Sequence, residues 1–491
     1  MQLSIAGGIR EFAVSSPGAV AVIDGPRRLT FAEVHDRSSR LADGLLAAGL
    51  APGARVGVLL GNRLEWPEIA AGLAKAGLVM VPLGTRSTAA ENAYILEHSE
   101  CAALIADQAL LGSVETPPPV LVAVDGGYEE FLAAASPVDP RVPVLETDPF
   151  TIVYTSGTTG RPKGVLISHR SRTLTFYCAA LEWNLGPGRT SVAVAPMYHG
   201  AGFAFGYTPV FTGGTVVMLR SFDPEALLSL VAETKAQSVF LVPTHAHQLR
   251  ASGLMDRYDV SSLDTLFFNA AALPVTLKEW VMSAFPGAGV HELYGSTEGG
   301  IVTDCRPADA LRKPGSVGPP WFLTELKVLD DDGAEVPRGE RGELCSRSPF
   351  LMNGYLKNPE ATSEALTEDG FYRSGDIAVQ DADGFVTIVD RKKDMIISGG
   401  VNIAPREVEE VLGSFPGVAE AAVVGLPDER WGERVTAFVV PLPGCSPDSD
   451  ALVEHCRAVL SGPKVPRQVE FLTTLPRNAA GKILKRELRK D

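Results

Sequence analysis

Apolar positions along the chain follow two periods, one near 3.6 residues and one near two, and the two take turns. Residues 29–50 carry the helical period. Thr30 can cap that helix, Glu33 completes a capping box, and Gly49 marks its end. The run 55–60 then reads as a strand, 65–76 as a helix, 78–82 as a buried strand, 91–98 as a helix and 102–106 as a strand. Strands alternating with helices predict a largely parallel sheet covered on both faces. Residues 113–148 are rich in Pro, Val and Asp with weak periodicity and read as a connecting segment. The apolar run 150–154 is a further short strand. Alternation resumes with strands at 191–195, 215–219, 238–242, 265–268 and 290–293. Helices are expected at 172–183, 224–234 and 274–284, with Pro274 in the first turn of the last. That is a second α/β unit beside the first.

From residue 317 the texture changes. Strand-like pieces at 324–329, 342–346, 377–380 and 385–389 alternate with turns, and Asp381-Ala382-Asp383-Gly384 is a hairpin signal. Arg391-Lys392-Lys393-Asp394 is a charged break. Beyond it come a helix at 405–412, strands at 421–425 and 434–440, a helix at 448–460 and a strand at 468–472. The fold expected is α/β. A large N-terminal domain, 1–392, has two doubly covered sheets and a β-rich subdomain, and a small α+β C-terminal domain spans 393–491.

Composition changes this picture little. A chain of 491 residues exceeds one compact core, and 45 % apolar with 21 % charged residues is ordinary for a globular enzyme. The formal net charge of −15 argues against general nucleic-acid binding and against docking on anionic lipid. Six cysteines without a C-x-x-C pattern fit free thiols in a reducing cytoplasm. No signal peptide is read at the N-terminus, and no apolar run reaches the roughly 20 residues that span a bilayer. A cytoplasmic location is expected.

Chemistry enters at Thr155-Ser156-Gly157-Thr158-Thr159-Gly160-Arg161-Pro162-Lys163-Gly164. Three glycines, four hydroxyl side chains and a lysine follow directly on the strand at 150–154. Glycines let backbone N–H groups turn toward an anion, hydroxyls add donors and Lys163 adds a point charge. The Walker A pattern does not fit, because Pro162 stands where glycine should precede Lys163. The alternative is a polar surface loop, and the donor density favours a phosphate cradle. Four further stretches go with it. They are Pro196-Met197-Tyr198-His199-Gly200-Ala201-Gly202, Tyr294-Gly295-Ser296-Thr297-Glu298, Tyr372-Arg373-Ser374-Gly375-Asp376 and Pro476-Arg477-Asn478-Ala479-Ala480-Gly481-Lys482-Ile483. Taken singly, Asp376 reads equally well as a turn acid, Lys482 as a solvated tail lysine, Glu298 as a helix-start acid and His199 as a satisfied strand-end residue. His245 and His247 read as structural. The basic tail, 477–491, reads either as a solvated terminus or as a face toward phosphates.

In this order and spacing, the set resembles the adenylate-forming superfamily of acyl- and aryl-CoA synthetases, luciferases and peptide-synthetase adenylation domains. It is most similar to bacterial fatty-acyl- or aryl-CoA synthetases. The resemblance covers nearly the whole chain and implies an ATP-dependent acid–CoA ligase that forms an acyl-adenylate, releases pyrophosphate, then passes the acyl group to CoA and releases AMP. It implies that Thr155, Ser156, Gly157, Thr158, Thr159 and Lys163 hold phosphates, that Glu298 binds Mg²⁺, and that Thr297 contacts the α-phosphate. Tyr294, Gly295, Ala271 and Ala272 would frame the adenine, Asp376 would accept the ribose hydroxyls with support from Arg391, and Lys482 would bridge carboxylate and α-phosphate, with His199 beside them. Lys393 matches the hinge about which a mobile small domain turns, bringing Ser398-Gly399-Gly400 to the entering CoA.

The acyl pocket expected from the resemblance includes His199, Phe203, Phe205, Tyr207, Val242, Thr244, Asn269, Gly299, Gly300 and Ile301. It offers an ammonium no acid, the nearest downstream being Asp223, and a second carboxylate no buried cation. A hydrophobic monocarboxylic acid is expected, fatty by a narrow margin over aromatic or polycyclic. Free CoA is favoured over a carrier protein as acceptor. Asn269 departs from the glycine common at its position, and Ser461-Gly462-Pro463-Lys464 replaces a tyrosine-bearing segment.

Overall fold

Thr30 ends a strand and starts the helix Phe31–Ala47. Its hydroxyl accepts from the Glu33 amide while the Glu33 carboxylate accepts from the Thr30 amide at 2.7 Å, the reciprocal cap that the spacing predicts. In this computed structural model, which describes residues 2–155, 161–477 and 483–489, the chain forms two compact units. One comprises Met1–Pro314, Pro320–Glu325 and Ser346–Tyr372. The other comprises Gly315–Pro319, Leu326–Cys345 and Arg373–Asp491.

The first unit holds two sheets. A seven-stranded sheet runs in the order Gly354–Tyr355, Lys163–Ser168, Pro149–Thr155, Val79–Pro82, Arg55–Leu59, Cys101–Ala106 and Val120–Ala123. An eight-stranded sheet runs Gly300–Cys305, Gly289–Ser296, Thr265–Phe268, Ser238–Leu241, Thr190–Ala193, Thr215–Met218, Val20–Asp24 and Arg27–Thr30. Its six inner strands are parallel, and only the edge pairs are antiparallel. Helices intervene as βαβ crossovers require.

The strand and helix periods locate most of these elements, and three departures have physical causes. The N-terminal strands Val20–Asp24 and Arg27–Thr30 join the second sheet rather than the first, a long-range choice that local pattern does not encode. Helix Gly200–Phe211 is apolar almost all round and mostly buried, so it shows no amphipathic stripe. Segment 113–148 carries the strand Val120–Ala123 and the short helix Tyr128–Ala133, anchored by fully buried Tyr128, whose hydroxyl donates to Glu68 at 2.8 Å.

The second unit holds most of a four-stranded sheet, Glu325–Leu329, Arg341–Arg347, Tyr372–Gln380 and Val386–Arg391 in that order. The predicted hairpin is its last pair. A five-stranded sheet follows, with helices Pro405–Gly413 and Ser449–Val459 burying Val408, Leu412, Leu452 and Cys456 with its strands. All six cysteines are free. Among the described residues, no helix is long and apolar enough to cross a membrane.

Candidate active site

In the eight-stranded sheet, four loops leave the carboxyl ends of parallel strands, the edge where open α/β sheets gather ligands. Taken across the sheet, Gly289–Ser296 leads to Thr297 and Glu298, and Thr265–Phe268 to Asn269, Ala271 and Ala272. Ser238–Leu241 leads to Val242 and Thr244, and Thr190–Ala193 to Tyr198, His199 and Gly200. Residues far apart in the chain are therefore brought to one edge by topology alone.

Two hairpin tips meet there. Thr155 and Lys163 are register partners, so the strands Pro149–Thr155 and Lys163–Ser168 hold both ends of the predicted phosphate loop. The second of these strands was absent from the sequence reading. Ser156, Gly157, Thr158 and Thr159 lie outside the described residues. The other tip is Thr297-Glu298-Gly299, closed by Ser296 opposite Gly300, by the Gly299 amide donating to Ser296 Oγ at 2.9 Å, and by the Met352 amide donating to the Glu298 carbonyl at 2.8 Å. Glycine is needed at 295, since a Cβ there would lie 2.1 Å from the Gly300 carbonyl oxygen.

Between the tips, Glu298 Oε1 accepts from Thr155 Oγ1 at 3.4 Å and from the Tyr355 hydroxyl at 3.2 Å. Burial, with Glu298 beside it, pushes the Tyr355 hydroxyl well above its ordinary value, so it remains a donor. Lys163 Nζ rests 5.0 Å from the Tyr355 ring centroid, a contact worth about 0.5–1 kcal/mol that a phosphate would easily outbid. Among the described residues, no group of three or more His, Cys, Asp or Glu could hold a metal by itself. One carboxylate beside hydroxyls fits Mg²⁺, which takes one or two protein carboxylates and completes its shell with water and phosphate oxygens.

His199 is the N-terminal boundary residue of helix Gly200–Phe211 and provides no side-chain cap. Its ring lies 4.5 Å from that of Tyr198, its Nε2 is buried without a partner, and burial lowers its pKa to about 4, so it is neutral near pH 7. The helix turns the predicted pocket residues to different sides. Phe205 stacks on Phe240 at 4.5 Å and joins Trp183, Phe267, Trp321, Val242 and Ile301 in one aromatic-rich cluster. Phe203 packs on Phe150 and Tyr207 in the main core. Asn269 accepts a hydrogen bond from the Ala270 amide, and Ala270 has the unusual φ of +73°. Asp223 caps helix Pro224–Thr234 by accepting from the Ala226 amide at 2.9 Å. One cation was not foreseen: Arg172, on helix His169–Trp183, is 8 % exposed and lines a cavity with His199 and Gly200.

The second unit carries its own constellation. Asp376 and Arg391 are register partners, and Arg391 Nε lies 2.9 Å from Asp376 Oδ1. Asp376 is 5 % exposed. Lys393 is exposed in the short turn Lys392–Asp394. Gly399 and Gly400 both have positive φ, and the Gly399 amide donates to the Trp431 carbonyl at 2.8 Å. The guanidinium of Arg467 lies 4.0 Å from the Trp431 ring centroid and that of Arg430 lies 4.9 Å from it. Sequence reasoning missed this aromatic–guanidinium group because Arg467 is remote in the chain. Lys464 is held by both oxygens of Glu407.

Lys482 lies outside the described residues. Four basic residues of the described tail have carboxylate partners. Arg477 pairs with Glu420, Lys485 with Glu409, Arg486 with Glu487 and Arg489 with Asp394.

Comparison with known proteins agrees with this geometry. The family model described as "AMP-binding enzyme" matches residues 9–356, and that described as "AMP-binding enzyme C-terminal domain" matches residues 407–482. A feruloyl-CoA synthase from an Amycolatopsis species is 40 % identical, over 97 % of this chain and 96 % of its own. A 3-[(3aS,4S,7aS)-7a-methyl-1,5-dioxo-octahydro-1H-inden-4-yl]propanoyl:CoA ligase from Rhodococcus jostii is 35 % identical, over 96 % and 95 %. The crystal structure of ATP-bound MatB from Rhodopseudomonas palustris superposes with a TM-score of 0.92 at 30 % identity, covering 100 % of this chain and 98 % of that one.

Proposed function

The chain belongs to the AMP-binding enzyme family, and from that premise we propose that it is an AMP-forming acid–CoA ligase acting on a ring-bearing hydrophobic monocarboxylic acid. In the first half-reaction a carboxylate oxygen attacks the α-phosphorus of ATP. An O–P bond forms, the bond to the β-phosphate oxygen breaks, and pyrophosphate leaves. In the second, the CoA sulfur attacks the acyl carbon. A C–S bond forms, the C–O bond to AMP breaks, and the thiol proton goes to solvent.

Both reactants of the first step are anions, so the protein's task is to align them and offset their charge. The paired hairpin tips support that assignment most directly. Lys163 and the hydroxyl-rich loop would hold the departing pyrophosphate, Thr297 would donate to the α-phosphate, and Glu298 would hold Mg²⁺, which neutralises phosphate charge when bound. Asp376 would accept from the ribose hydroxyls with Arg391 beside it, a task suited to a carboxylate. Lys482 would reach the carboxylate and α-phosphate from a small domain, 393–491, hinged at Lys393. The Ser398–Gly400 stretch would admit the CoA arm, with the Trp431 ring and its two guanidinium groups offering a stacking and phosphate surface nearby.

The sequence narrowly favours a fatty chain, and two observations support a ring instead. Phe205, Val242 and Ile301 share a cluster with Trp183, Phe240, Phe267 and Trp321, and offset or tilted aromatic contacts suit a flat rigid substrate. Feruloyl-CoA synthase as a relative points the same way. Asp223, the nearest acid downstream of the His199 stretch, is used as a helix cap and is not offered to an ammonium group, which disfavours amino acids. Acid-dependent ATP–pyrophosphate exchange over hydroxycinnamic, polycyclic and straight-chain fatty acids tests the reading. Aromatic or polycyclic acids are expected to exceed C8–C16 fatty acids in kcat/KM by at least about tenfold, a difference of roughly 1.4 kcal/mol in transition-state binding. A preference for fatty chains, or robust exchange with free amino acids, would overturn it.

A further inference from the structure

A buried guanidinium without a counterion is costly, and among the described residues Arg172 has none. It is 8 % exposed and makes no hydrogen bond or ion pair among the described residues, and its Nε is fully buried and unpartnered. Burial lowers its pKa to about 10, which leaves it cationic near neutral pH. Isolated buried charges are rarely retained unless something pairs with them.

The surroundings indicate what the partner is. Gly200 opens helix Gly200–Phe211, whose first amides lack intrahelical acceptors and have no side-chain cap. A Cβ placed on Gly200 would lie 3.3 Å from Arg172 Nη2 and 3.6 Å from Thr297 Oγ1. The absent side chain thus leaves a notch between a cation and a hydroxyl, at the positive end of a 12-residue helix. Two further orphaned polar atoms, His199 Nε2 and Thr151 Oγ1, belong to residues lining the adjoining cavity, whose volume is about 10 Å³. The other walls, including Met80, Val153 and Phe203, are apolar and strengthen any charge interaction within.

We propose that Arg172 is an anion-positioning residue of the adenylation step. Its guanidinium takes an anionic oxygen of a reactant in the notch between Gly200 and Thr297. Two sources carry that oxygen, the carboxylate of the acid and the α-phosphate of the nucleotide. The inference rests on the ligase reading and adds a group to which neither the motifs nor the family resemblance assigned a role.

The test compares full-length wild type with Arg172→Met, Arg172→Gln and Arg172→Lys. Without ligand, the Met variant is expected to melt at or above wild type, because it removes an uncompensated buried charge, whereas loss of a structural guanidinium lowers Tm. Exchange by the Met and Gln variants is expected to fall by about 10²-fold, with part of the loss restored in the Lys variant. If the oxygen belongs to phosphate, the rise in Tm produced by AMP disappears in the Met variant. If it belongs to the acid, that rise persists and the loss appears as a higher KM for the acid. A Met variant that melts below wild type overturns the proposal, as does one exchanging within about twofold of wild type at unchanged KM values. Should wild type show no acid-dependent exchange, the ligase reading fails, and the ligand-free melting comparison still decides the role of Arg172.

Discussion

Replacing Lys482 with alanine is expected to lower acid-dependent pyrophosphate release by about 10³-fold, while thioester formation from supplied acyl-adenylate falls by less than about tenfold. A single ammonium between two anions acts when both carry charge and approach each other. Once the acyl-adenylate exists, the second step is attack by sulfur on a neutral ester-like carbon. The remaining basic groups described in the tail cannot substitute, because Arg477, Lys485, Arg486 and Arg489 are each paired with a carboxylate. Measuring the two half-reactions separately decides the matter. Equal losses in both would remove Lys482 from a step-specific role.

Lys393→Pro is expected to show the converse. Pyrophosphate exchange should stay within about threefold of wild type, and CoA-thioester formation should fall by at least about tenfold. Proline locks φ near −65° and restricts the residue before it, so a joint that would take two backbone conformations is held in one. The site suits the test. Lys393 is exposed in the first turn after the strand Val386–Arg391, where no core packing is lost. Single-turnover assays of both steps supply the readout. Undiminished CoA turnover would exclude Lys393 as the hinge.

Much of the architecture was legible in the chain because its signals are local. The Thr30–Glu33 capping box, the hairpin turn at Asp381–Gly384 and the short apolar strands each depend on a few neighbouring residues. What stayed hidden depends on topology. Nothing near Val22 indicates that it pairs with Val216 rather than with the sheet that follows it in sequence. Helix Gly200–Phe211 lacked an amphipathic stripe because the protein surrounds it. The candidate site divides in the same way. Thr297, Glu298, Asp376 and Arg391 carry motif signals. Tyr355 and Arg172 do not. Tyr355 becomes relevant only because its short strand pairs with Lys163–Ser168, which brings its hydroxyl to Glu298. Arg172 reads from sequence as one more polar helix position. Its significance arises from burial beside a glycine 28 positions later in the chain.

The phosphate loop would anchor this chemistry without performing it. Thr155 and Lys163 bracket the loop that would grip the departing end of ATP, whereas bond formation would occur one phosphate away, at the α-phosphate that Thr297 and Lys482 are proposed to contact. Substrate choice would be made along the strand ends from His199 to Ile301. The most direct test follows nucleotide products by chromatography in a reaction containing the preferred acid, ATP, Mg²⁺ and CoA. The expected result is one AMP, one pyrophosphate and one acyl-CoA per acid consumed, with acid-dependent exchange of pyrophosphate into ATP when CoA is omitted. Formation of ADP and phosphate, or thioester without any exchange in the absence of CoA, would contradict an adenylate-forming mechanism.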